Sequence, residues 1–111
     1  MSSAKDKPRI TQLFSLIQQQ GADAFPCYAL AMEYRKLGEI KEAIHWLNKT
    51  LELDPDYLAV FYQLAALYAS LDDTKNALNT YDQGILLAEA KKDLKTLAEL
   101  KNARMNLELE L

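Results

Sequence analysis

The amino-acid sequence predicts an all-α protein built from antiparallel helix pairs, with about six helices. Two observations carry this prediction. Residues that favour helices, such as alanine, leucine, glutamate and lysine, dominate long stretches, with only three glycines and three prolines in 111 residues. The apolar residues also recur at helical spacing. Half of the residues are apolar, enough for one domain with a modest core.

Capping and breaking residues mark the helix boundaries. Pro8 suits a first helical position, Asp23 can cap the second helix, and Pro55 ends the third because it lacks a backbone N–H. Asp72, Asp73 and Thr74 supply turn and capping oxygens before the fifth helix. The predicted helices run from Pro8 to Gly21, from Asp23 to Gly38, from Glu39 to Leu53, from Asp56 to Ser70, from Thr74 to about Ala90, and from Asp93 to the C-terminus.

Charge and composition exclude several classes of partner. The formal net charge is −3, with acids and bases interspersed, so nothing indicates a nucleic-acid partner. The apolar stretch 58–71 is too short to span a bilayer. Residues 1–8 are predicted to be a flexible tail without a signal peptide, and a single cysteine cannot form an internal disulfide. We therefore expect a cytoplasmic protein that binds no membrane.

The chain repeats itself with a period of 34 residues. Shifting it by this amount aligns identical residues, which chance helicity does not explain and which separates a helical repeat from a simple bundle. The aligned pairs are Tyr28 with Tyr62, Leu30 with Leu64, Ala31 with Ala65, Tyr34 with Tyr68, Leu37 with Leu71, Lys41 with Lys75, Ala43 with Ala77 and Leu53 with Leu87.

These positions resemble the tetratricopeptide repeat (TPR) family, whose 34-residue unit folds as two helices, A and B. The resemblance is strong in residues 24–57 and 58–91. Three substitutions depart from the family pattern: Thr50 stands where alanine is usual, Asp72 replaces the turn glycine, and Glu89 replaces the final proline. The matching residues are Leu30, Ala31, Tyr34, Gly38, Ala43, Trp46, Leu47 and Pro55 in the first repeat, and Phe61, Leu64, Ala65, Tyr68, Ala77, Tyr81, Gly84 and Ile85 in the second.

The resemblance implies a right-handed α-solenoid and a single domain over residues 9–111. Residues 9–21 would be a leftover helix B, 24–57 and 58–91 the two repeats, and 92–111 a C-terminal capping helix. Close helix approaches explain the small residues, and bulky side chains fill the space between helix pairs, so Tyr68→Ala should cost about 3–5 kcal/mol. The small residues are Ala31, Ala43, Ala65, Ala77 and Gly84; the bulky ones are Tyr34, Leu47, Tyr68 and Tyr81.

Catalytic chemistry has few residues to use. His45 is the only histidine and is predicted on the outer side of helix B, whereas Cys27, the only cysteine, is predicted to be an inert core thiol. Glu42 and His45 have the Glu-x-x-His spacing of carboxylate-bridged metal sites, but such sites need a second histidine. We expect no enzyme activity, no metal and no cofactor.

Protein binding is then the expected function, as an adaptor or scaffold. In the TPR family the A helices line a concave groove, and residues at the corresponding spacing here are aromatic, small and basic. Tyr28 and Tyr62 recur at one repeat position, where they either contact a partner or pack against each other along the groove wall. The predicted groove residues are Phe25, Tyr28, Met32, Arg35, Lys36, Ala59, Tyr62, Ala66, Ala69, Thr96, Leu100 and Arg104.

The chaperone-binding relatives of this family hold a C-terminal carboxylate with lysines and asparagines. The corresponding positions here are occupied by other residues, so an acidic C-terminal peptide is a poor candidate ligand. An extended or helical apolar segment of a partner protein is the better prediction. These positions are Tyr28, Met32, Gln63, Asp93 and Leu97.

The last helix carries two apolar stripes, more than a cap of the domain needs. One contains Leu97, Leu100, Leu107 and Leu111, and the other contains Leu94, Ala98, Met105 and Leu109. A homodimer through this helix is therefore an alternative function, with Leu97, Leu107 and Leu111 as the possible dimer face. A frayed, partly exposed terminus would explain the second stripe equally well.

Overall fold

The computed structural model describes residues 8–20 and 23–111, and these residues form six α-helices and no strand. The prediction of an all-α helical repeat is confirmed. Residues 1–7 of the predicted flexible tail and the predicted helix end at Gly21 lie outside the described residues, whereas Pro8, the last residue of the predicted tail, begins the first helix. The helices are α1 (Pro8–Gln20), α2 (Ala24–Lys36), α3 (Ile40–Leu53), α4 (Ala59–Ser70), α5 (Thr74–Lys91) and α6 (Leu94–Leu109).

The helices belong to two compact units, Met1–Pro55 and Asp56–Leu111. In the first unit α2 packs against α1 and α3, and in the second α5 packs against α4 and α6. The boundary lies at Pro55, which lacks a backbone N–H and disfavours helical geometry at the residue before it. It falls within two residues of the boundary predicted between the repeats. A single domain over residues 9–111 stays a prediction.

Helix α1 covers one side of the first unit. Ile10 and Leu13 are each only 2% exposed, so α1 buries its apolar stripe as a leftover helix B would. The Phe14 ring also meets the Trp46 ring of α3 edge-on, with 5.6 Å between ring centroids and 80° between planes. Such edge-on pairs add to the stability that burial itself provides. The first helix is therefore part of the core.

Aspartate side chains cap three helix starts. Asp23 accepts a hydrogen bond from the Phe25 N–H of α2, and Asp73 and Asp93 act in the same way at α5 and α6. These oxygens satisfy N–H groups that have no partner within the helix. The cap predicted at Asp23 and the capping oxygen predicted at Asp73 are confirmed.

Helix α4 begins later than the sequence predicts. The predicted start is Asp56, whereas the helix begins at Ala59. The Val60 N–H donates to the Tyr57 carbonyl oxygen at 3.1 Å, and the Phe61 N–H donates to the Leu58 carbonyl oxygen at 3.2 Å. These three-residue hydrogen bonds belong to a tighter turn, which takes the place of the first predicted α-helical turn.

Helices α2, α4 and α5 end in the same way, with a left-handed residue just after the helix. These residues are Gly38, Asp72 and Lys92, with φ angles of 74°, 59° and 57°. Each is followed by a residue whose N–H reaches back five positions to a helix carbonyl, which closes the last turn. The closing bonds, each 3.0 Å long, run from Glu39 to Tyr34, from Asp73 to Tyr68 and from Asp93 to Ala88.

Lys92→Gly is expected to stabilise the protein by about 1 kcal/mol, because glycine adopts the left-handed conformation without a steric cost. Lys91→Gly is the matched control: this neighbouring residue is also exposed but is the last residue of α5 and has helical geometry, where glycine costs up to about 1 kcal/mol. Urea unfolding followed by circular dichroism measures both. A loss of stability in both variants would contradict the left-handed end of α5.

The small residues predicted at close helix approaches are all buried. Ala31, Ala43, Ala65 and Ala77 have no exposed surface, and Gly84 is buried in α5. A Cβ atom at Gly84 would lie 2.6 Å from the Cβ of Phe61 on α4, closer than real Cβ atoms come to other atoms. Only glycine fits there without a shift of the helices.

The bulky residues predicted to fill the space between helix pairs are buried to different degrees. Leu47 is fully buried, and Tyr34 and Tyr81 are 5% exposed, as predicted. Tyr68 is half-buried, and the cost of about 3–5 kcal/mol for its replacement by alanine stays a prediction. Thr50 replaces the usual alanine without a polar penalty, because its hydroxyl donates to the Trp46 carbonyl oxygen at 2.8 Å.

Candidate partner-binding surfaces

Helix α2 has one buried side and one open side. Pro26, Cys27, Leu30, Ala31 and Tyr34 face the core of the first unit. The opposite side carries the five groove residues predicted for the first repeat. Phe25, Arg35 and Lys36 are exposed, and Tyr28 and Met32 are half-buried.

The open side of α2 combines aromatic surface with positive charge. Phe25 is 58% exposed, a high fraction for so large an apolar side chain. Burial raises the pKa of the Tyr28 hydroxyl, and the Arg35 charge opposes this rise. Lys36 forms an ion pair with Glu33, with 3.2 Å between Nζ and Oε2. The side is therefore apolar at its start and basic at its end.

Helix α4 is arranged in the same way. Its core side is formed by Val60, Phe61, Leu64, Ala65 and Leu67. The groove residues predicted for the second repeat lie on the other side, where Ala59 and Tyr62 are exposed and Ala66 and Ala69 are half-buried.

Tyr62 is the largest side chain on the open side of α4. It is 41% exposed, and its ring meets the Tyr81 ring of α5 edge-on, with 6.4 Å between centroids and 77° between planes. This contact holds the ring in place while much of its surface stays open to solvent. The alanines beside it add little side-chain bulk to this side of α4.

One of the groove residues predicted on helix α6 lies in the core. Leu100 has no exposed surface, and its Cδ1 atom would lie 3.1 Å from a Cβ at Gly84 on α5. A side chain without exposed surface cannot contact a partner, so the prediction for Leu100 is wrong. Leu100 is a core residue of the second unit.

Arg104 and Thr96 are engaged within the second unit. The Arg104 Nε donates to the Asp82 Oδ1 of α5 at 2.6 Å, and its Nη1 lies 2.8 Å from the Glu108 Oε1. These charge-assisted contacts, the Asp82 hydrogen bond foremost, raise the pKa of Arg104. The Thr96 hydroxyl and N–H both donate to the Asp93 carboxylate and lower its pKa. Both residues act in helix packing and capping.

The two apolar stripes of α6 have different surroundings. Leu97 and Leu107, predicted as part of a dimer face, are half-buried on the same side of α6 as Leu100. Leu111 is 73% exposed but lies beyond the end of the helix. That predicted dimer face is therefore mostly the face that packs inward. The exposed stripe is the other one, in which Leu94, Met105 and Leu109 are 74%, 52% and 77% exposed.

The two residues considered for catalysis lie in different environments. Cys27 is 1% exposed, and burial raises the pKa of its thiol, so it stays protonated and unreactive. His45 is exposed on α3 and meets the Trp46 ring edge-on at 5.1 Å. Among the described residues no group of three or more histidine, cysteine, aspartate or glutamate side chains is placed to hold a metal ion.

No helix in the described part of the chain is both long enough and apolar enough to cross a membrane.

Two family models match the chain: a TPR repeat over residues 31–72 and a tetratricopeptide repeat over residues 58–91. A tetratricopeptide repeat domain protein of Salinibacter ruber is 40% identical, with 78% of this chain and 96% of that chain covered and a TM-score of 0.73.

More distant structures share the fold. The TPR2B domain of yeast Sti1, solved as a pHsp70 complex, is 20% identical, with 92% of this chain and 82% of that chain covered and a TM-score of 0.84. An N-terminal acetyltransferase A complex subunit-like protein of Schizosaccharomyces pombe is 24% identical over 99 residues, and the chain spans 14% of its length. From its repeats, its helix pairs and its likeness to the Salinibacter protein, the chain belongs to the tetratricopeptide repeat family.

Proposed function

We propose that this protein is an interaction module, an adaptor or scaffold, that binds an extended or helical segment of a partner protein on the open sides of α2 and α4. The observation that carries the proposal is the aromatic surface of these helices: Phe25 is 58% exposed and Tyr62 is 41% exposed. Large aromatic side chains bury much area on binding and lose few rotamers, so they often dominate binding energy.

The chemistry of the two surfaces describes the ligand. Phe25, Tyr28 and Met32 suit apolar side chains, and Arg35 and Lys36 at the end of α2 suit an acidic residue of the ligand. The exposed ring of Tyr62 with its small neighbours suits a close-lying backbone. We therefore propose a segment with apolar anchors and an acidic flank.

The family and one structural neighbour support this reading. The TPR2B domain of Sti1, which shares the fold, was solved as a pHsp70 complex. The positions of the carboxylate clamp hold Tyr28, Met32 and Gln63 here, so we propose that a free C-terminal carboxylate is not required. We assign no catalytic role, since the single cysteine is buried and the single histidine lies on an exposed helix face.

The double variant Tyr28→Ala with Tyr62→Ala is expected to lose its partners. Removing both rings should weaken binding by about tenfold or more, as for other aromatic anchors. The protein, immobilised through an N-terminal tag, is used to capture partners from the native host, and the captured proteins are quantified by mass spectrometry. Titration calorimetry with a peptide from the captured partner then gives the loss in affinity.

Leu86→Ala is the matched control. Leu86 is an apolar side chain of α5 that is 68% exposed and lies outside the proposed surfaces. This variant should capture the same partners as the natural protein. If the double variant keeps its circular dichroism spectrum and still captures those partners, the open sides of α2 and α4 are not the binding site.

A self-assembling structural role is the alternative function. The exposed apolar stripe of α6 favours it, because large apolar side chains exposed on one helix face are a recognised sign of an interface. In that case the assembly itself would be the function, with no second protein required.

A further inference from the structure

The exposed stripe of α6 is an apolar surface without a partner in the second unit. It consists of Leu94, Ala98, Met105 and Leu109, called here the outer face of α6, and all four residues are exposed. Helix α6 has 16 residues, so the outer face runs along about 24 Å of helix. The opposite side of the helix packs inward through Leu100, so the outer face is not needed for the fold.

We propose that the outer face of α6 pairs with the same face of a second copy of the chain, with the two helices antiparallel. The pattern of the four residues is self-complementary. If a two-fold axis passes between Lys101 and Asn102, Leu94 lies opposite Leu109 of the second copy, and Ala98 lies opposite its Met105. The small residue then faces the long one, which lets the two surfaces interlock.

The charges on α6 favour the antiparallel orientation. Residues 91–100 carry three lysines, Asp93 and Glu99, a formal charge of +1, and residues 102–111 carry Arg104, Glu108 and Glu110, a formal charge of −1. Antiparallel helices therefore place regions of opposite net charge beside each other. Parallel helices would place lysine beside lysine and would also align the two helix dipoles. The three lysines are Lys91, Lys92 and Lys95, whereas Lys101 lies beside the two-fold axis and does not contribute to this preference.

Helix α1 of another copy is a poorer partner for the outer face. As a leftover helix B it could complete a repeat with α6, which would produce head-to-tail chains. Its exposed side, however, is mostly polar, with Gln12, Ser15, Gln18 and Gln19. Covering it with leucine and methionine would take amide and hydroxyl groups out of water without new hydrogen bonds. The apolar α6 face of a second copy has no such cost.

The pairing rests on the alternative function, self-assembly, and specifies which helix face would carry it. It involves none of the residues proposed to bind a peptide. A contact between two helices of this length is small compared with stable dimer interfaces, so we expect a dissociation constant on the order of 10 µM. Sedimentation velocity from about 1 to about 500 µM, a range set to bracket this value, should show the mass rise from one copy to two. A single-copy mass at the highest concentration would overturn the proposal.

Charge variants test the register. Leu94→Glu and Leu109→Lys, made singly, should each weaken the dimer by about tenfold or more, because each places a charge against leucine. Combined in one chain, the two changes bring the new carboxylate of one copy opposite the new ammonium group of the other, so the dimer should return at low salt. The new glutamate lies at the N-terminus of α6 and the new lysine at its C-terminus, so both charges interact favourably with the helix dipole. Both sites are exposed, so the fold should be unaffected. Leu86→Glu on α5 is the control and should leave the dimer intact.

Disulfide cross-linking tests the same register without new charges. Ala98→Cys chains mixed with differently tagged Met105→Cys chains should form a mixed disulfide, since these positions face each other. Ala98→Cys alone should cross-link poorly, because its two copies are about 10 Å apart along the helices. The natural Cys27 is buried and should not react.

Three results would overturn the antiparallel pairing. The first is a dimer that neither Leu94→Glu nor Leu109→Lys weakens. The second is the absence of the mixed disulfide together with a double variant that stays monomeric. The third is growth beyond two copies, which would indicate head-to-tail assembly. Peptide binding is read separately: dimer-deficient variants that still bind partners through Tyr28 and Tyr62 leave the interaction-module proposal standing.

Discussion

Leu100→Ala is expected to destabilise the second unit by about 2–5 kcal/mol, the range for removing a fully buried leucine. Leu100 is the only residue of α6 that is fully buried. It packs against α5 at Gly84, where the absence of a side chain lets the two helices approach closely. Its removal leaves a cavity at this contact, and the rest of α6 holds few other buried contacts with which to compensate. For a small domain this is a large share of the total stability.

The measurement is urea unfolding followed by circular dichroism, with hydrogen exchange of the α6 amides to show where the loss occurs. Leu94→Ala is the matched control in the same helix. Leu94 is 74% exposed, and its replacement should change the stability by no more than about 0.5 kcal/mol. If Leu100→Ala kept its stability and instead lost partner binding, Leu100 would line the groove as the sequence suggested.

Gly84→Val is expected to destabilise the second unit by about 3 kcal/mol, at the upper end of the usual cost of overpacking. A Cβ at this position would meet the Phe61 Cβ at 2.6 Å and the Leu100 Cδ1 at 3.1 Å. The Leu100 methyl can move, but a Cβ atom cannot move without its backbone. Helix α4 would therefore have to shift away from α5, which would open the packing of Phe61 as well.

Valine is a better helix former than glycine, so helix propensity alone would slightly favour Gly84→Val and cannot explain a loss of stability. A control shows what valine costs at an open position of the same helix. Gln83→Val places the same side chain at the exposed neighbouring position of α5, where only the helix propensity changes, by about half a kcal/mol. Thermal and urea unfolding compare the two variants. Equal stabilities would show that α4 and α5 lie farther apart than the 2.6 Å distance indicates.

Several features of the fold could be predicted because they depend on local chemistry or on the repeat. The cap at Asp23 depends on a side chain two residues from the N–H that it accepts. The burial of Ala31, Ala65 and Gly84 depends on the 34-residue period, which identifies equivalent positions without coordinates. The left-handed residues Asp72 and Lys92 were not predicted, because neither is the glycine that usually marks such a position.

The candidate surfaces were predictable to different degrees. The open sides of α2 and α4 follow from the family resemblance, which assigns these helices to a groove, together with helical spacing, which places the core residues on the opposite side. Helix α6 has two apolar stripes, and periodicity does not tell which of them faces α5. For this reason the sequence predicts Leu100 and Leu97 on binding surfaces, whereas in the structure the exposed residues are Leu94 and Leu109. How the surfaces of α2 and α4 combine into a groove stays a prediction.

The helices, the repeat and the family can be recognised from the amino-acid sequence, because hydrogen bonds within a helix, caps and side-chain periodicity act over a few residues and recur every 34. The covered side of α6, the Arg104–Asp82 ion pair and the contact of Gly84 with Phe61 depend on tertiary packing. These contacts join residues that are distant in the chain. They depend on the close fit of whole helices, which no local pattern encodes.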